Sequence, residues 1–180
     1  MAIERWPQTM DESLRIRLQT PRIEDRAPAR FAGFREGYTG ANFVGIGGQW
    51  QRFGPHVGNV PGQMSPGAYG LHFDMIGMME GGSRFDFMTA VEVSEDAAGL
   101  PKDFSDVQIP ARRYVVFPHV EHAGKVRNTV NTVWFTWFPR SGHEVLRGGL
   151  ELPDVIERYG EGFDPASGMG GMEVWFPIKG

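Results

Sequence analysis

The sequence of 180 residues contains no cysteine. This absence excludes disulfide bonds, thiolate metal ligands and a thiol nucleophile. Apolar residues nowhere form the run of about 18 positions that indicates a transmembrane helix, and the first residues lack the apolar core of a signal peptide. These absences predict a cytoplasmic protein with no membrane segment.

Positive charge is also scarce. The chain has 18 lysine and arginine residues against 22 aspartate and glutamate residues, which gives a formal net charge of −4. The arginines between positions 15 and 30 are interspersed with Glu24 and Asp25 rather than clustered. A nucleic-acid interface is typically a basic patch or stripe. The charge pattern therefore predicts no direct binding to DNA.

Glycine, by contrast, is abundant. The chain has 25 glycines and 13 prolines, and the glycine content is about twice the average for proteins. These residues interrupt long helices, so many short strands and turns are expected. Because 41% of the residues are hydrophobic and the length is that of one domain, we predict a single domain over residues 1–180, with 1–12 as a loose N-terminal lead-in.

The two halves of the chain resemble each other. Three matches lie 82, 84 and 81 positions apart, namely Pro28–Arg30 with Pro110–Arg112, Trp50 with Trp134, and Glu92 with Glu173. Each half, at about 14–93 and 105–178, has the pattern strand–helix–strand–strand. The prediction is an α+β fold of two duplicated β-α-β-β units with pseudo-twofold symmetry, an antiparallel sheet, two main helices and a central ligand groove. A cleft between such units is a favoured ligand site.

Hydrophobic periodicity gives the individual elements. It predicts strands at 14–18, 30–38, 69–75, 85–93, 109–116, 143–146 and 172–178, helices at 46–57 and 126–138, a turn at 25–28, and a short helical turn at 153–159. The helix prediction at 46–57 is weakened at its start by the glycines at 45–48.

Motifs for cofactors and metals are missing. The segment Gly45–Trp50 begins like a dinucleotide-binding loop, but a tryptophan replaces the third glycine and no βαβ context surrounds it. His119 and His122 do not have the spacing of a helical His-Glu-x-x-His metal site. We therefore predict no cofactor and no metal.

The motifs of the second half, in contrast, are informative. They are Ile109–Phe117, Val133–Pro139, Ser141–Leu146, Pro153–Tyr159 and Met172–Ile178. In order and spacing they closely resemble the GyrI-like small-molecule-binding family, also called the AraC-type effector-binding domain. The resemblance covers about residues 14–178 and departs from the family at His143, where tyrosine is common, and in the glycine-rich first helix. It implies the duplicated fold, with ligands bound between the halves.

The resemblance also implies a ligand site. In multidrug-binding relatives an acidic residue buried among aromatic side chains receives a cation, and its counterpart here is Glu144. The expected ligand-binding residues are Glu144, Tyr69, Phe73, Trp134, Trp137 and Glu92. Each also fits a structural role, since a glutamate is most often solvated and aromatic residues are common in any core.

The resemblance implies a stand-alone binder of cationic or amphipathic, drug-like compounds. With the family unit beginning near Leu14, we expect no helix-turn-helix in the chain. Two alternatives stay open, namely a hydrolase of strained-ring, cyclopropanoid genotoxins and a protein-binding module of the gyrase-inhibitor kind. A catalytic function is the less favoured hypothesis. A homodimer or a protein partner is also left open. The glycine cluster at 45–48 is predicted to thin the groove wall so that a bulky ligand fits.

Overall fold

A computed structural model describes residues 9–180, and its main feature is one eight-stranded antiparallel sheet. The strands are β1 (Arg22–Arg26), β2 (Ala29–Tyr38), β3 (Ala68–Phe73), β4 (Phe85–Val93), β5 (Ser105–Ile109), β6 (Arg112–His119), β7 (Val155–Tyr159) and β8 (Met172–Ile178). Their order across the sheet is β1-β6-β8-β7-β3-β4-β2-β5.

The order of the strands has the symmetry of a duplication. Exchanging β1 with β5, β2 with β6, β3 with β7 and β4 with β8 reproduces the same order in reverse. The sheet is therefore symmetric about the β3–β7 pair, and the predicted α+β fold of two related units is confirmed. Each edge strand pairs with the opposite unit, because β1 lies beside β6 and β5 lies beside β2.

Two main helical segments connect the strands. In the first unit α1 (Ile46–Phe53) joins β2 to β3, and the shorter α2 (Met75–Met79) follows β3. In the second unit α3 (Val126–Thr132) continues through a π-helical turn (Val133–Trp137) into α4 (Phe138–Ser141). This run ends at Gly142, whose φ of 73° favours glycine. Within residues 9–180 no helix has the length and hydrophobicity needed to cross a membrane.

The strands bury both faces of the sheet. On the helix face, against which α1 and α3 pack, Phe85, Phe87 and Phe176 belong to a large core that includes Val130 and Val133 of the second helical segment. On the opposite face a second cluster is formed by residues that alternate with these along the strands: Tyr69, Leu71, Phe73, Met88, Ala90 and Trp175. Neighbouring positions on one strand therefore lie in different environments.

The N-terminal part of the sheet differs from the prediction. Residues 14–18 do not form a strand, because Glu12–Leu14 is a single 3-10 turn and the following chain crosses α3, where the backbone N–H of Ile16 donates to Thr132 Oγ1. The edge strand on this side of the sheet is β1, and its last residues belong to the turn predicted at 25–28. Alternation of apolar and polar residues at 14–18 reflects contact with a helix, since Leu18 packs on the core without pairing to a strand.

The segment 153–159 was predicted as a helical turn, and this prediction is wrong. It contains β7, which pairs with β3 on one side and β8 on the other. The sequence from Val155 to Tyr159 has β-branched and aromatic residues that suit a strand between two others. Its position at the centre of the sheet decides where the functional site lies.

Candidate functional site

A cleft of about 400 Å³ lies on the helix face, between α1 and the start of α3. Its floor is the β3–β7 pair at the symmetric centre of the sheet. The volume lies within the range of small-molecule sites. Its lining residues are Phe43, Val44, Ile46, Gly47, Trp50, His72, Met75, Phe85, Ala123, Gly124, Val126, Arg127, Val130, Glu157 and Tyr159.

Glu157 on β7 is the acidic residue of this lining. Its side chain is almost fully buried, at 3% exposure. Its Oε1 lies 2.8 Å from His72 Nε2, and its Oε2 accepts a hydrogen bond of 2.7 Å from the Tyr159 hydroxyl. None of the ion pairs among residues 9–180 joins Glu157 to a lysine or arginine. A buried carboxylate without such a partner carries a large desolvation cost.

Aromatic rings surround the carboxylate. The Trp50 ring lies 5.0 Å from Tyr159 and 6.2 Å from Phe87, both edge-to-face. The His72 ring lies 4.7 Å from Phe87 and stacks on Phe85 at 6.2 Å. Burial and the adjacent Glu157 carboxylate raise the pKa of Tyr159 well above its usual value, so its hydroxyl keeps its proton and donates.

Two glycines shape the cleft. Gly70 on β3 lies directly opposite Glu157, and a Cβ there would be 2.9 Å from Glu157 Oε2 and 2.8 Å from Phe87 Cζ. The carboxylate thus rests where a larger residue on β3 would collide with it. Gly47 on α1 lines the wall, and a Cβ there would meet no atom within 4 Å. A glycine at 47 therefore leaves open space beside the cleft.

Buried polar side chains hold the framework of the cleft. Gln49 of α1 is fully buried and donates to the carbonyl oxygens of Phe34 and Phe87, which ties the helix to the sheet. Asp154, just before β7, accepts the backbone N–H groups of Met75 (3.1 Å) and Ile76 (2.9 Å) at the start of α2. Burial raises the pKa of Asp154 to about 6. These contacts fix α1 and α2 against the strands that carry Glu157 and His72.

The outer part of the cleft has a mixed character. Val44 is 75% exposed beside Phe43. The Arg127 guanidinium lies 5.8 Å from the centre of the Phe43 ring, a cation–π contact between the two walls. The cleft therefore has an apolar, partly cationic rim and a single buried carboxylate at its floor.

Glu144, the predicted buried carboxylate, lies outside this cleft. Its side chain is 73% exposed and forms an ion pair with Lys179. The prediction that it is buried among aromatic residues is wrong. The reason is the pairing of the chain near Val145, which bridges Ile178 and points into the core. Because side chains alternate in extended chain, Glu144 points to solvent.

Tyr69 and Phe73 are placed on the opposite face of the sheet. Both are buried there, with Tyr69 beside Phe31 and Trp175 and Phe73 beneath the Arg35 guanidinium. The residues of β3 that face the cleft are their neighbours Gly70 and His72. Tyr69 and Phe73 therefore point away from the cleft, because side chains one position apart on a strand lie on opposite faces of the sheet.

The remaining three predicted residues also lie away from the cleft. Trp134 packs on Phe138 beneath Arg147, and Trp137 stacks on His143 with 5.8 Å between the ring centres. Both follow Val130, the last residue of the second helical segment that lines the cleft. Glu92 is half-buried on the face of Met88 and Ala90. The structure brings none of the six predicted residues to the cleft lining.

The cleft residues that sequence reasoning missed are Glu157, His72, Tyr159 and Trp50. A signal was present for two of them, because a strand over 155–159 places Val155, Glu157 and Tyr159 on one face. Trp50 lies in the helix predicted at 46–57 but was not among the expected ligand-binding residues. His72 sits between two apolar residues of β3, a pattern with no site signature of its own.

Solved structures share this fold. SAV2435, solved bound to tetraphenylphosphonium, is 19% identical, with a TM-score of 0.68 over 90% of this chain and 95% of its own. A putative bacterial transcription regulation protein from Staphylococcus aureus MU50 is 22% identical, with a TM-score of 0.62 over 89% of this chain and 99% of its own. The EcmrR C-terminal domain is 16% identical, with a TM-score of 0.64 over 89% and 97%.

No functionally curated protein is significantly similar to the chain in sequence. A family model does match, and it covers residues 19–179. This range contains all eight strands, both helical segments and the cleft between them. The chain therefore belongs to the family of GyrI-like small molecule binding domains.

Proposed function

We propose that this protein binds cationic, amphipathic small molecules in the cleft between α1 and α3, with Glu157 as the counter-charge. The observation that carries the proposal is a glutamate that is 3% exposed at the floor of an aromatic cleft. Glutamate is seldom buried to this degree unless it is paired. Its hydrogen-bond partners among the residues the structure describes are an imidazole and a phenol.

The physical argument is one of desolvation. A carboxylate taken out of water loses solvation energy that two hydrogen bonds replace only in part. A ligand cation above Glu157 supplies the missing charge in a site of low dielectric, where the Coulomb attraction is strong. A neutral or anionic ligand of the same shape leaves the desolvation cost in place.

The walls support a ligand that is also apolar. Trp50, Phe85 and Tyr159 line the cleft, and aromatic faces attract cations that approach within about 6 Å. Apolar walls impose few directional contacts, so compounds of different shape are accommodated as long as they carry a positive charge. A protein of the same fold, SAV2435, has been solved with the lipophilic cation tetraphenylphosphonium.

Titration of the protein with tetraphenylphosphonium tests the proposal. We expect one ligand per chain by calorimetry, and thermal stabilisation that follows mass action, about 2.7 kcal/mol at a concentration 100 times the dissociation constant. The recovered ligand should be chemically unchanged, whereas a converted compound would favour the hydrolase alternative. The absence of both binding heat and stabilisation with tetraphenylphosphonium would contradict the proposal.

A further inference from the structure

The geometry around Glu157 points to a specific class of cation. We infer that the cleft selects cations that carry no hydrogen-bond donor, such as quaternary phosphonium and ammonium ions, over N–H-bearing ammonium ions of equal charge and shape. The inference rests on the proposed function. It follows from how many acceptor positions of the Glu157 carboxylate are free to bind a ligand N–H group.

As an ionised carboxylate, Glu157 accepts a hydrogen bond at each oxygen, because it has no proton to donate. His72 Nε2 lies 2.8 Å from Oε1, and the Tyr159 hydroxyl lies 2.7 Å from Oε2. The raised pKa of Tyr159 keeps its proton on the hydroxyl. An ionised carboxylate has about four acceptor positions, so two of them are occupied before a ligand arrives.

Packing closes a further approach to the carboxylate. Gly70 on β3 lies opposite Glu157, and a Cβ at this residue would come within 2.9 Å of Oε2. The same Cβ would be 2.8 Å from Phe87 Cζ. A ligand atom at that position would meet both the Phe87 ring and Oε2, so little room for a donor exists on the side of the carboxylate that faces Gly70. A ligand senses the negative charge of the carboxylate, while two of its acceptor positions are occupied and the side toward Gly70 is crowded.

Other side-chain acceptors in the cleft are few. His72 Nδ1 is buried and has no hydrogen-bond partner among the residues the structure describes. When a neutral His72 donates from Nε2, its Nδ1 is an acceptor, but its burial keeps it from a ligand in the open cleft. The walls are mainly apolar, as at Ile46, Val126 and Val130. An ammonium ion in this cleft loses its water and regains few hydrogen bonds.

A matched pair of ligands isolates this effect. Methyltriphenylphosphonium and triphenylmethylammonium have the same number of heavy atoms, three phenyl rings and one positive charge, but only the ammonium ion carries N–H donors. We expect the phosphonium ion to bind at least tenfold more tightly to the wild-type protein, which is about 1.4 kcal/mol. Calorimetric titration at neutral pH gives both dissociation constants.

Two variants show whether the preference for the phosphonium ion arises from the site or from the different hydration of the two ions. Tyr159→Phe removes the donor to Oε2 and frees that oxygen for a ligand N–H. The preference for the phosphonium ion should therefore fall to threefold or less, through tighter binding of the ammonium ion. Tyr69→Phe removes a hydroxyl on the opposite face of the sheet and should leave the wild-type preference unchanged.

The outcomes distinguish this inference from the proposed function. Equal binding of the two ions to the wild-type protein, or a preference that Tyr159→Phe leaves unchanged, would overturn the inference while cation binding stands. If neither ion binds, the proposed function fails, and the inference fails with it.

Discussion

Replacing Glu157 by glutamine should weaken the binding of tetraphenylphosphonium by about 30- to 100-fold, which corresponds to roughly 2–3 kcal/mol. The substitution keeps the size of the side chain but removes the charge at the floor of the cleft. Loss of one partner from a buried, close charge pair typically costs at least this much. Calorimetric titration of the wild-type protein and the Glu157→Gln variant measures the change.

Glu144→Gln is the matched control for this prediction. It removes the same charge from a side chain that is 73% exposed and paired with Lys179 on the surface. An exposed ion pair contributes little, so affinity for tetraphenylphosphonium should stay within about twofold of the wild-type value. A large loss with Glu144→Gln and none with Glu157→Gln would place the counter-charge at the position that the family resemblance implied. Thermal unfolding of both variants verifies that they are folded.

The substitution Gly70→Ala should both destabilise the protein and impair the site. Its Cβ would lie 2.8 Å from Phe87 Cζ and 2.9 Å from Glu157 Oε2, so the ring, the carboxylate or the strand must move. Overpacking of this kind typically costs about 1–3 kcal/mol of unfolding free energy. Each of these shifts changes the geometry around Glu157, so affinity for tetraphenylphosphonium should also fall by at least about tenfold.

Gly47→Ala provides the comparison for Gly70→Ala. Gly47 lies in α1, and the added Cβ meets no atom within 4 Å. Alanine is favoured over glycine inside a helix by up to about 1 kcal/mol, so the unfolding free energy should stay the same or rise. Denaturant titration of both variants gives the two values. Equal stability of Gly70→Ala and the wild-type protein would show that the space at Gly70 is larger than the structure indicates.

Much of the fold was predictable because the duplication leaves similar sequence patterns about 80 positions apart in the chain. The segments Pro28–Arg30 and Pro110–Arg112 share the same Pro-Ala-Arg sequence because they lie at the starts of β2 and β6, which are equivalent strands of the two units. The alternation from Phe85 to Val93 reflects a strand with two buried faces. Neither signal reports which strands of the two units meet. The central β3–β7 pair and the exchange of the edge strands appear only in three dimensions.

The site was harder to predict, for two physical reasons. The segment Pro153–Tyr159 begins with a proline and an aspartate, which resemble the start of a helical turn, whereas Asp154 instead accepts the N–H groups at the start of α2. A helical turn at 153–159 does not place Glu157 on a strand face toward the groove, so the prediction did not include this residue. In β3, a strand with both faces buried, periodicity alone does not tell which face the cleft occupies. The family resemblance implied Tyr69, with Phe73 on the same face, whereas the residues of β3 that face the cleft are Gly70 and His72.

The sign of the ligand's charge tests the central claim most directly. Tetraphenylphosphonium and tetraphenylborate have nearly the same shape and apolar surface but opposite charge. If Glu157 is the counter-charge of an apolar cleft, calorimetric titration of the wild-type protein should give a dissociation constant for the borate at least 100-fold above that for the phosphonium ion, a difference of about 2.7 kcal/mol. Equal affinities, or tighter binding of the borate, would contradict the account.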